Sequence, residues 1–501
     1  MVNIMQQQVI TWVVLALYLI AMLVAGIIGA KKANTLTSFV VGGRKAGPWV
    51  SAFGFGTAYF SAVLFIGYAG KSGYDFGLWA ILIGVGNAAF GAYLAWKVLG
   101  NRTREVTRRM KIKTMPQFFE KRFDSKGLKI FAVIIIFIFM TPYSASVYSG
   151  LGYLCDNVLK IGYNNAMILI AVVAAVYVVL GGFVSSMIAD FIQGLIMIVG
   201  VVAMIFCIAN APEVGGFAEG FARMGDVMTQ NGLYPPTTST IVGVGSLIIL
   251  TSFGTWGMPQ MVQKFYGIET KEGVKRATVI STAFAALISC GAYFVGSLSR
   301  LFFTQVPQDV SGKANYDLII PQILSRLPDV LLAVILVLVL AASVSTLSGI
   351  TLTSCSAVAM DFIVSVFKPD MDKKKTLLLT RVLCLLFIIC SYLLATMKSP
   401  ILTLMAFSWG TICATLLPSY LLGLYWKRFN KTASIWSMGA GLLTSLGLAV
   451  FSGFQSGNAP LFGIIATAVS FLVCFVVTVA TKPHEDKTGF FVTEGQEAAA
   501  K

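Results

Sequence analysis

The chain has 501 residues, of which 57% are hydrophobic and only 12% are charged. A soluble domain carries roughly 25% charged residues, so this composition leaves too little polar surface for contact with water on all sides. The composition therefore excludes a soluble protein and indicates an integral membrane protein.

The charge balance is basic, with 37 Lys and Arg against 21 Asp and Glu and a formal net charge of +16. A basic chain often binds nucleic acid, but here the positive residues lie in short loops between apolar segments, as in cytoplasmic loops of membrane proteins. We therefore expect a lipid bilayer, and no nucleic acid, as a partner. The one histidine, His484, lies in the polar tail, which excludes a histidine proton relay inside the membrane.

The apolar residues are grouped into long runs. A run of about 20 apolar residues crosses the hydrocarbon core as a helix. Thirteen such runs predict thirteen transmembrane helices, at residues 9–30, 47–70, 76–98, 128–150, 163–181, 186–208, 240–260, 277–299, 330–362, 378–397, 400–425, 432–453 and 460–480. The predicted fold class is an all-α integral membrane protein.

The positive residues also predict the orientation in the membrane. If the N-terminus is outside, 30 of the 37 Lys and Arg fall in cytoplasmic loops or the tail. Such an excess of positive charge marks the cytoplasmic side. We therefore expect a multi-pass protein of the inner (plasma) membrane with its N-terminus outside and its C-terminus in the cytoplasm.

Two predicted spans carry glycines and hydroxyls near their middle. The second span contains Phe53–Ser61, and the seventh contains Thr251–Pro259. Five helices separate the two segments, as two five-helix repeats with broken first helices would require. Glycine in a membrane helix also serves close packing between neighbours, which is the alternative for either segment alone. The matched placement favours paired breaks, whose freed carbonyls suit a dehydrated cation.

The ninth span presents hydroxyls on one side of an apolar helix. Ser345, Thr346 and Ser348 follow Ala341-Ala342 in this span. Na⁺ is a hard cation that prefers several oxygen ligands. The alternative is that these hydroxyls bond to carbonyls of their own helix or to neighbouring helices.

Asp190 lies near the membrane start of the sixth span, whereas Asp361 ends the ninth span and is expected at the interface. An ionisable group inside a membrane is costly and usually functional. Asp190 is therefore a candidate for ion binding or proton transfer, and the alternative role is a helix N-cap at the cytoplasmic boundary.

Four short motifs occur in order along these spans: Gly42-Gly43-Arg44, Asp190-Phe191-Ile192-Gln193-Gly194, Gly257-Met258-Pro259-Gln260 and the hydroxyl cluster 342–348. Together they resemble the sodium:solute symporter family, which includes proline, pantothenate, monocarboxylate, sialic acid and sugar carriers. The resemblance covers nearly the whole chain. It implies a LeuT-type core of two inverted five-helix repeats, preceded by one extra helix and followed by two.

This resemblance predicts five segments in the chain. They are an N-terminal extra helix and basic loop (1–46), a first repeat (47–239), a second repeat (240–431), two extra helices (432–481) and a disordered cytoplasmic tail (482–501). A monomer is expected.

The resemblance also implies a shared sodium site. Its ligands would be the carbonyl oxygens of Thr57, Phe60 and Ala342 and the hydroxyls of Ser345 and Thr346. Na⁺ is thus the expected bound ion.

Some family members hold a second sodium ion near the aspartate. Asp190, Ser345 and Ser348 match that pattern in this chain. Gly349 stands where a further hydroxyl would be wanted. The resemblance therefore makes a second sodium site a candidate and leaves the stoichiometry open.

The substrate does not follow from the resemblance. Proline carriers have an aspartate where this chain has Tyr59, and sialic acid carriers have an arginine near the position of Tyr143. The expected pocket has few polar groups among apolar and aromatic walls, and its residues are Ser61, Leu64, Phe65, Tyr143, Ser144, Phe253, Trp256, Ser408 and Trp409. No basic residue is expected at mid-membrane, so a substrate carboxylate would rest on hydroxyls and the positive end of a broken helix. This arrangement suits a zwitterion or a monocarboxylate.

The predicted function is Na⁺-coupled symport of a small organic solute, such as proline, a monocarboxylate, pantothenate or sialic acid, by alternating access. The alternatives are a proton-coupled carrier that uses Asp190 and a channel or sensor without coupled transport on the same scaffold. The predicted spans carry neither paired acids nor His/Cys clusters, so we do not expect an enzyme.

Overall fold

The computed structural model describes residues 2–32, 35–309, 311–453, 457–483 and 489–491, and within these ranges all regular structure is helical. The α-helices are α1 (Val2–Lys32), α2 (Leu36–Val41), α3 (Pro48–Tyr59), α4 (Ala69–Phe76), α5 (Ile81–Gly86), α6 (Asn101–Arg109), α7 (Met115–Phe123), α8 (Lys126–Leu159), α9 (Tyr163–Ala209), α10 (Phe217–Gln230), α11 (Thr238–Gly257), α12 (Pro259–Gly267), α13 (Lys271–Ser297), α14 (Ser299–Phe302), α15 (Ile319–Leu324), α16 (Asp329–Ser356), α17 (Lys373–Ala395), α18 (Ile401–Tyr425), α19 (Lys431–Phe451) and α20 (Ala459–Ala480). Tight 3₁₀ turns occupy Gly42–Arg44, Gly77–Ala80 and Tyr316–Leu318, and wider π-helical turns occupy Val63–Tyr68, Asn87–Leu94, Trp96–Gly100 and Ala357–Phe367.

Eleven helices in the described ranges are long and apolar enough to cross a membrane. Two glycines interrupt helical runs at boundaries between predicted spans. Gly77 (φ 59°, ψ −136°) divides the continuous helical run Val63–Arg109 into the second and third predicted spans. Gly182 (φ 56°, ψ −154°) divides α9 into the fifth and sixth predicted spans. The count of thirteen stays a prediction, whereas the all-helical membrane fold is confirmed.

The centre of the bundle is built around α3, α9, α13 and α16. Helix α3 packs against the other three, and α16 packs along α9 and α8. Helices α1, α17, α19 and α20 surround this centre and expose large apolar side chains such as Leu17, Leu378 and Leu472. An exposed apolar surface of this extent is expected on helices that face lipid.

The predicted cytoplasmic loops meet on one side of the bundle. Ala46 and Ile268 form a parallel β-bridge, in which the Ala46 N–H donates to the Gly267 carbonyl at 3.1 Å. Arg44 lies in the left-handed region (φ 61°) beside this bridge. Its guanidinium donates to the carbonyl oxygens of Thr107 (2.8 Å) and Ile112 (2.6 Å). The chain entering α3 is therefore tied to the chain leaving α12 and to the end of α6.

Two described residues of the tail pack against the bundle. Phe490 is fully buried against Phe118, with ring centroids 5.6 Å apart, and the Arg122 guanidinium lies over the ring of Phe491 at 4.7 Å. Their aromatic rings remove apolar area from water in an otherwise polar tail, and the disorder of residues 482–501 as a segment stays a prediction. Residues 484–488 and 492–501 lie outside the described residues.

Candidate functional site

Both predicted helix breaks are present. Helix α3 ends at Tyr59, Phe60 has extended backbone angles (φ −108°, ψ 124°), and helical structure resumes two residues later. Helix α11 ends at Gly257, and Met258 is extended (φ −78°, ψ 118°) before α12 begins at Pro259. Phe60 and Met258 are both buried. An extended residue inside a buried helix frees backbone groups from the helical ladder, which is the feature that a dehydrated ion needs.

The hydroxyl cluster of α16 faces the first break. The Thr346 hydroxyl lies 3.0 Å from the Thr57 carbonyl oxygen and 3.0 Å from the Ala342 carbonyl oxygen. The Ser345 hydroxyl lies 2.9 Å from the Thr57 hydroxyl. The structure thus brings four of the five residues of the expected sodium site together, and the fifth, Phe60, is the extended residue of the break.

This donor set suits Na⁺. It consists of two backbone carbonyls and the hydroxyls of Thr57, Ser345 and Thr346, all neutral and all oxygen. Hard monovalent and divalent cations prefer such ligands to nitrogen or sulfur. These oxygens would hold the ion by replacing its hydration shell, and the ion would join α16 to the break in α3.

Ser343 also contacts the break, and the sequence analysis did not include it. Its hydroxyl accepts a hydrogen bond from the Ala62 backbone N–H at 2.9 Å and donates to the Val339 carbonyl at 2.7 Å. The Ala62 N–H belongs to the first turn after the break, where a helix has no internal acceptor. Ser343 therefore stabilises the restart of the second span. Its place in the Ala341–Ser348 run was the available signal.

The second expected ion site has a different arrangement from the prediction. The Asp190 carboxylate accepts a hydrogen bond from the Ser345 hydroxyl at 2.6 Å. The Ser348 hydroxyl instead donates to the Ser345 carbonyl at 2.8 Å and lies 3.3 Å from the Ser186 hydroxyl. Within the described contacts, Asp190 and Ser345 are in direct contact, and Ser348 reaches them through the backbone.

A buried lysine departs from the expected topology. Lys264 is among the 30 basic residues expected in cytoplasmic loops or the tail, but it lies in α12, and its ammonium is 2.7 Å from the second Asp190 oxygen. The side chains of Lys264 and Asp190 are only 6% and 1% exposed. The prediction was wrong because the apolar run ends near residue 260, while the helix continues to Gly267 through Gln260 and Gln263. Two glutamines in a helix that follows a break were the available signal.

A small cavity of about 20 Å³ lies next to the first break. Ten residues line it, and none of them is charged: Tyr59, Phe60, Ser61, Val63, Leu64, Tyr68, Asn87, Thr251, Tyr293 and Met405. Ser61 and Leu64 were predicted for the pocket, whereas Tyr68, Asn87 and Tyr293 were not. Asn87 is the only amide in the third predicted span, which was a usable signal.

A row of aromatic rings borders this cavity. Tyr59 stacks on Phe60 at 4.2 Å and on Trp409 at 6.2 Å, and Tyr143 contacts Trp409 edge-on at 5.6 Å. Gly254 permits this arrangement, because a Cβ there would lie 2.4 Å from the Trp409 ring. Tyr143 and Trp409 of the predicted pocket therefore lie next to the break.

Several buried polar groups near the cavity have no hydrogen-bond partner in the described part of the chain. They are the hydroxyls of Tyr68, Tyr143, Ser144 and Tyr293 and the indole N–H of Trp409. Buried polar groups are normally paired, and an unpaired group costs about 1–3 kcal/mol. A bound polar solute that paired with them would recover part of that free energy.

The remaining predicted pocket residues have other contacts. Phe253 stacks with Phe90 at 6.0 Å, and the Trp256 indole donates to the Phe90 carbonyl at 3.0 Å, so both residues pack against the third predicted span. The Ser408 hydroxyl donates to the Phe139 carbonyl. Phe65 is buried in the π-helical turn that follows the break.

A larger cavity of about 470 Å³ lies on the side of the bundle opposite the Ala46–Ile268 bridge. Its lining includes Lys71, Leu247 and Leu402. Leu247 and Leu402 lie about one helical turn from Thr251 and Met405, which line the smaller cavity. The structure therefore has a cavity near the break on one side and a closed backbone contact on the other.

The structure has two interrupted helices, a hydroxyl-bearing helix that faces the first interruption, and a cavity beside that interruption. These features define a secondary transporter of the LeuT type. Residues 39–441 match the sodium:solute symporter family. The chain belongs to this family, and it is a multi-pass membrane protein that carries out Na⁺-coupled symport of a small solute.

Two curated relatives match almost the whole chain. The osmoregulated proline transporter OpuE of Bacillus subtilis (strain 168) is 28% identical over 477 residues, which are 93% of this chain and 94% of the relative. The sodium/proline symporter of Staphylococcus aureus (strain NCTC 8325 / PS 47) is 26% identical over 495 residues, which are 96% and 94% of the two chains.

Two solved structures show the same fold. A Na⁺-coupled sialic acid symporter in its substrate-bound outward-open state has a TM-score of 0.79 and 19% identity, with 95% of this chain and 98% of that chain covered. Mhp1, a nucleobase-cation-symport-1 family transporter in a closed conformation, has a TM-score of 0.51 and 14% identity, with 91% and 98% covered.

Proposed function

We propose that the chain transports one small solute of amino-acid size, either a zwitterion or a monocarboxylate, together with Na⁺ bound at the first helix break. The observation that carries this proposal is the uncharged lining of the cavity beside Phe60, with the unpaired hydroxyls of Tyr68 and Tyr293 at its wall. A multiply charged anion would need cationic partners, which its ten lining residues do not include.

The proposed sodium ligands are the carbonyls of Thr57, Phe60 and Ala342 and the hydroxyls of Ser345 and Thr346. Their support is the 3.0 Å approach of Thr346 to two of these carbonyls. An ion at this position would fix the break relative to α16 and so shape the wall of the cavity. Coupling is reciprocal, so Na⁺ tightens solute binding by the factor by which solute tightens Na⁺ binding.

The solute would bind with its carboxylate toward the break. The end of a helix at a break presents backbone N–H groups that favour negative charge. The hydroxyls of Tyr68, Tyr143 and Tyr293 and the indole of Trp409 would donate or accept at the polar groups of the solute. The proline relatives support an amino acid as the solute. Tyr59 stands where proline carriers have an aspartate, so an amino group would meet aromatic rings and hydroxyls at this position.

The proposed cycle moves between outward-facing and inward-facing arrangements. The larger cavity supports entry from the side that carries Lys71, which we propose is the outside. Release to the cytoplasm would require separation of Ala46 from Ile268. Four arginines from loops predicted to be cytoplasmic lie on that closed side: Arg44, Arg104, Arg108 and Arg122. Their position supports an N-terminus outside and a C-terminus inside the cell.

We also keep the predicted organisation as part of this proposal: repeats at residues 47–239 and 240–431, one extra helix before them and two after. The equivalent breaks at Phe60 and Met258 support it. Each unit charge moved inward gains about 2.3 kcal/mol per 100 mV, which supports roughly 50-fold accumulation of solute.

Two measurements test this proposal. Purified protein is heated in Na⁺ or in K⁺ with proline and other amino acids, monocarboxylates, pantothenate and sialic acid. We expect a rise in Tm that requires Na⁺ and one solute class. The Ser345→Ala/Thr346→Ala double variant should lose the effect. Thr380→Ala is the matched control, because Thr380 is also buried and bonds to a carbonyl of its own helix at 2.8 Å. An unchanged Na⁺ effect in the double variant contradicts the site.

A further inference from the structure

We propose that the ammonium of Lys264 serves as a built-in second cation at Asp190, so that the protein couples one Na⁺, and not two, to each solute. This inference rests on the sodium site proposed above and adds to it the stoichiometry of the cycle. Its basis is the geometry of one buried carboxylate and its two partners.

The first step concerns the two oxygens of Asp190. Oδ2 lies 2.7 Å from the Lys264 ammonium, and Oδ1 accepts a hydrogen bond of 2.6 Å from Ser345. Each oxygen therefore has a strong, short contact. A metal ion at this carboxylate would have to displace the ammonium, and two positive charges that share one buried carboxylate repel each other.

The second step concerns the space around the pair. Gly54 of α3 faces it, and a Cβ at that position would lie 3.2 Å from Asp190 Oδ2 and 3.3 Å from Lys264 Nζ. The Phe183 ring lies 5.1 Å from the ammonium and shields it from water. The pair occupies a space that the absence of a side chain at Gly54 leaves open, and Lys264 is only 6% exposed.

The third step concerns the link to the sodium site. Ser345 joins Asp190 to Thr57, because its hydroxyl lies 2.6 Å from the carboxylate and 2.9 Å from the Thr57 hydroxyl. Only Asp190 therefore lies between the Lys264 ammonium and Ser345, one of the proposed Na⁺ ligands. The contacts from Lys264 through Asp190 and Ser345 to Thr57 also link two helices. These are α12, which follows the second break, and α3, which precedes the first break.

The charges of the loaded state agree with one transported ion. Asp190 and Lys264 cancel, so a loaded state with one Na⁺ has a net charge of +1 with a zwitterionic solute and of zero with a monocarboxylate. Removal of the ammonium would leave a buried carboxylate without a counter-ion, beside hydroxyls of Ser345 and Thr57. An oxygen-rich, negatively charged site of this kind attracts a second Na⁺.

The test compares four forms of the full-length protein: wild type, Lys264→Arg, Lys264→Met and the double variant Lys264→Met/Asp190→Asn. Na⁺ binding is first measured without solute, in detergent, as the rise in Tm with Na⁺ concentration. The number of Na⁺ ions per solute is then measured in proteoliposomes, from the solute gradient at which net solute flux is zero for a fixed Na⁺ gradient and a membrane voltage held at zero.

We expect one Na⁺ per solute and a Hill coefficient near 1 for the wild type and for Lys264→Arg, which keeps the positive charge. Lys264→Met should show a second Na⁺ and a Hill coefficient that rises toward 2. The double variant should again couple one Na⁺ to each solute, because asparagine keeps the acceptor for Ser345 without the negative charge.

Two results would overturn this inference: two Na⁺ per solute in the wild type, or one Na⁺ in Lys264→Met with Asp190 intact. The binding measurement does not require transport, so a variant that folds but fails to transport is still informative. The Lys264→Arg variant shows whether substitution at this position alone prevents folding. Failure of the proposed function gives a different result, namely that wild type shows no response to Na⁺.

Discussion

The hydroxyl of Thr346 lies 3.0 Å from the carbonyl oxygen of Thr57, across the contact between the ninth span and the broken second span. Both residues are fully buried. Because water does not reach this depth, the Thr346 hydroxyl satisfies the Thr57 carbonyl by donating a hydrogen bond to it. This contact places an oxygen of α16 where an ion held by the break would need it.

The first prediction concerns this contact. Thr346→Ala removes one oxygen, and we expect a roughly tenfold weaker Na⁺ affinity, since hydrogen bonds and ligands to charged groups contribute about 1.5 kcal/mol or more. Thr346→Ser keeps the oxygen and should stay within about threefold of wild type. The concentration of Na⁺ that gives half-maximal rise in Tm checks both. If Thr346→Ser lost as much Na⁺ affinity as Thr346→Ala, the effect would come from packing of the methyl group and not from the hydroxyl oxygen.

The second prediction concerns the hydroxyls around the cavity. Tyr68→Phe and Tyr293→Phe each remove one unpaired hydroxyl that lines the cavity, and we expect the KM for solute to rise by about fivefold, the value of one hydrogen bond of about 1 kcal/mol. Tyr148→Phe is the matched control, because its hydroxyl is also buried and unpaired but does not line the cavity. A similar KM change in all three variants would remove the assignment of the cavity as the solute site.

Much of the site follows from the sequence, because the features that define it are local. Glycines and hydroxyls within nine residues marked the breaks at Phe60 and Met258, and the Ala342–Ser348 run marked the helix opposite. Each of these patterns predicts the local structure of the segment in which it lies. Ser345 and Thr346 could therefore be proposed as sodium ligands from the sequence together with the family resemblance.

Other parts of the site depend on which helices pack against each other. A local sequence pattern does not show this. Lys264 was misassigned because a lysine four residues after an apolar run has the same local pattern in a loop and in a buried helix. Only the approach of Asp190 distinguishes them. Tyr68 and Tyr293 were missed for a similar reason, because tyrosine is equally common at membrane interfaces.

The third prediction concerns the closed side of the bundle. Arg44 donates to the Thr107 and Ile112 carbonyls, and it holds a left-handed backbone conformation beside the Ala46–Ile268 bridge. Arg44→Ala should shift the resting protein toward the inward-open arrangement. Amide hydrogen exchange at residues 46 and 267–269 should become at least fivefold faster. Arg223→Ala, an exposed residue paired with Glu219 on α10, is the control. Unchanged exchange in Arg44→Ala would show that this arginine does not hold the contact.

The fourth prediction concerns pH and a loop outside the spans. Burial raises the pKa of Asp317 to about 7 from its ordinary value of 3.8, although the Ile401 N–H and the charge of Lys71 act in the opposite direction. The folded protein therefore binds more protons at this group than the unfolded chain does between pH 4 and 7. Stability is favoured at the acidic end of this window and falls as pH rises toward 7, by up to about 1.4 kcal/mol per pH unit.

Asp317→Asn tests the predicted fall of stability with rising pH. The variant keeps an oxygen that can accept from the Ile401 N–H but cannot ionise. Between pH 5 and 8 the Tm of wild type should fall relative to that of Asp317→Asn, and above pH 8 the difference should be constant. Parallel Tm curves over the whole range would show that Asp317 does not ionise in this window.

The central claim is that a sodium ion at the first break couples solute movement to the membrane gradient. The most direct measurement is solute uptake into proteoliposomes that carry an inward Na⁺ gradient, compared with vesicles that carry only an inward proton gradient. We predict that the Na⁺ gradient drives accumulation and that Asp190→Asn changes its Na⁺ dependence without creating a pH dependence. Accumulation driven by the proton gradient alone, unaffected by removal of Na⁺, would contradict the account and make Asp190 the coupling group.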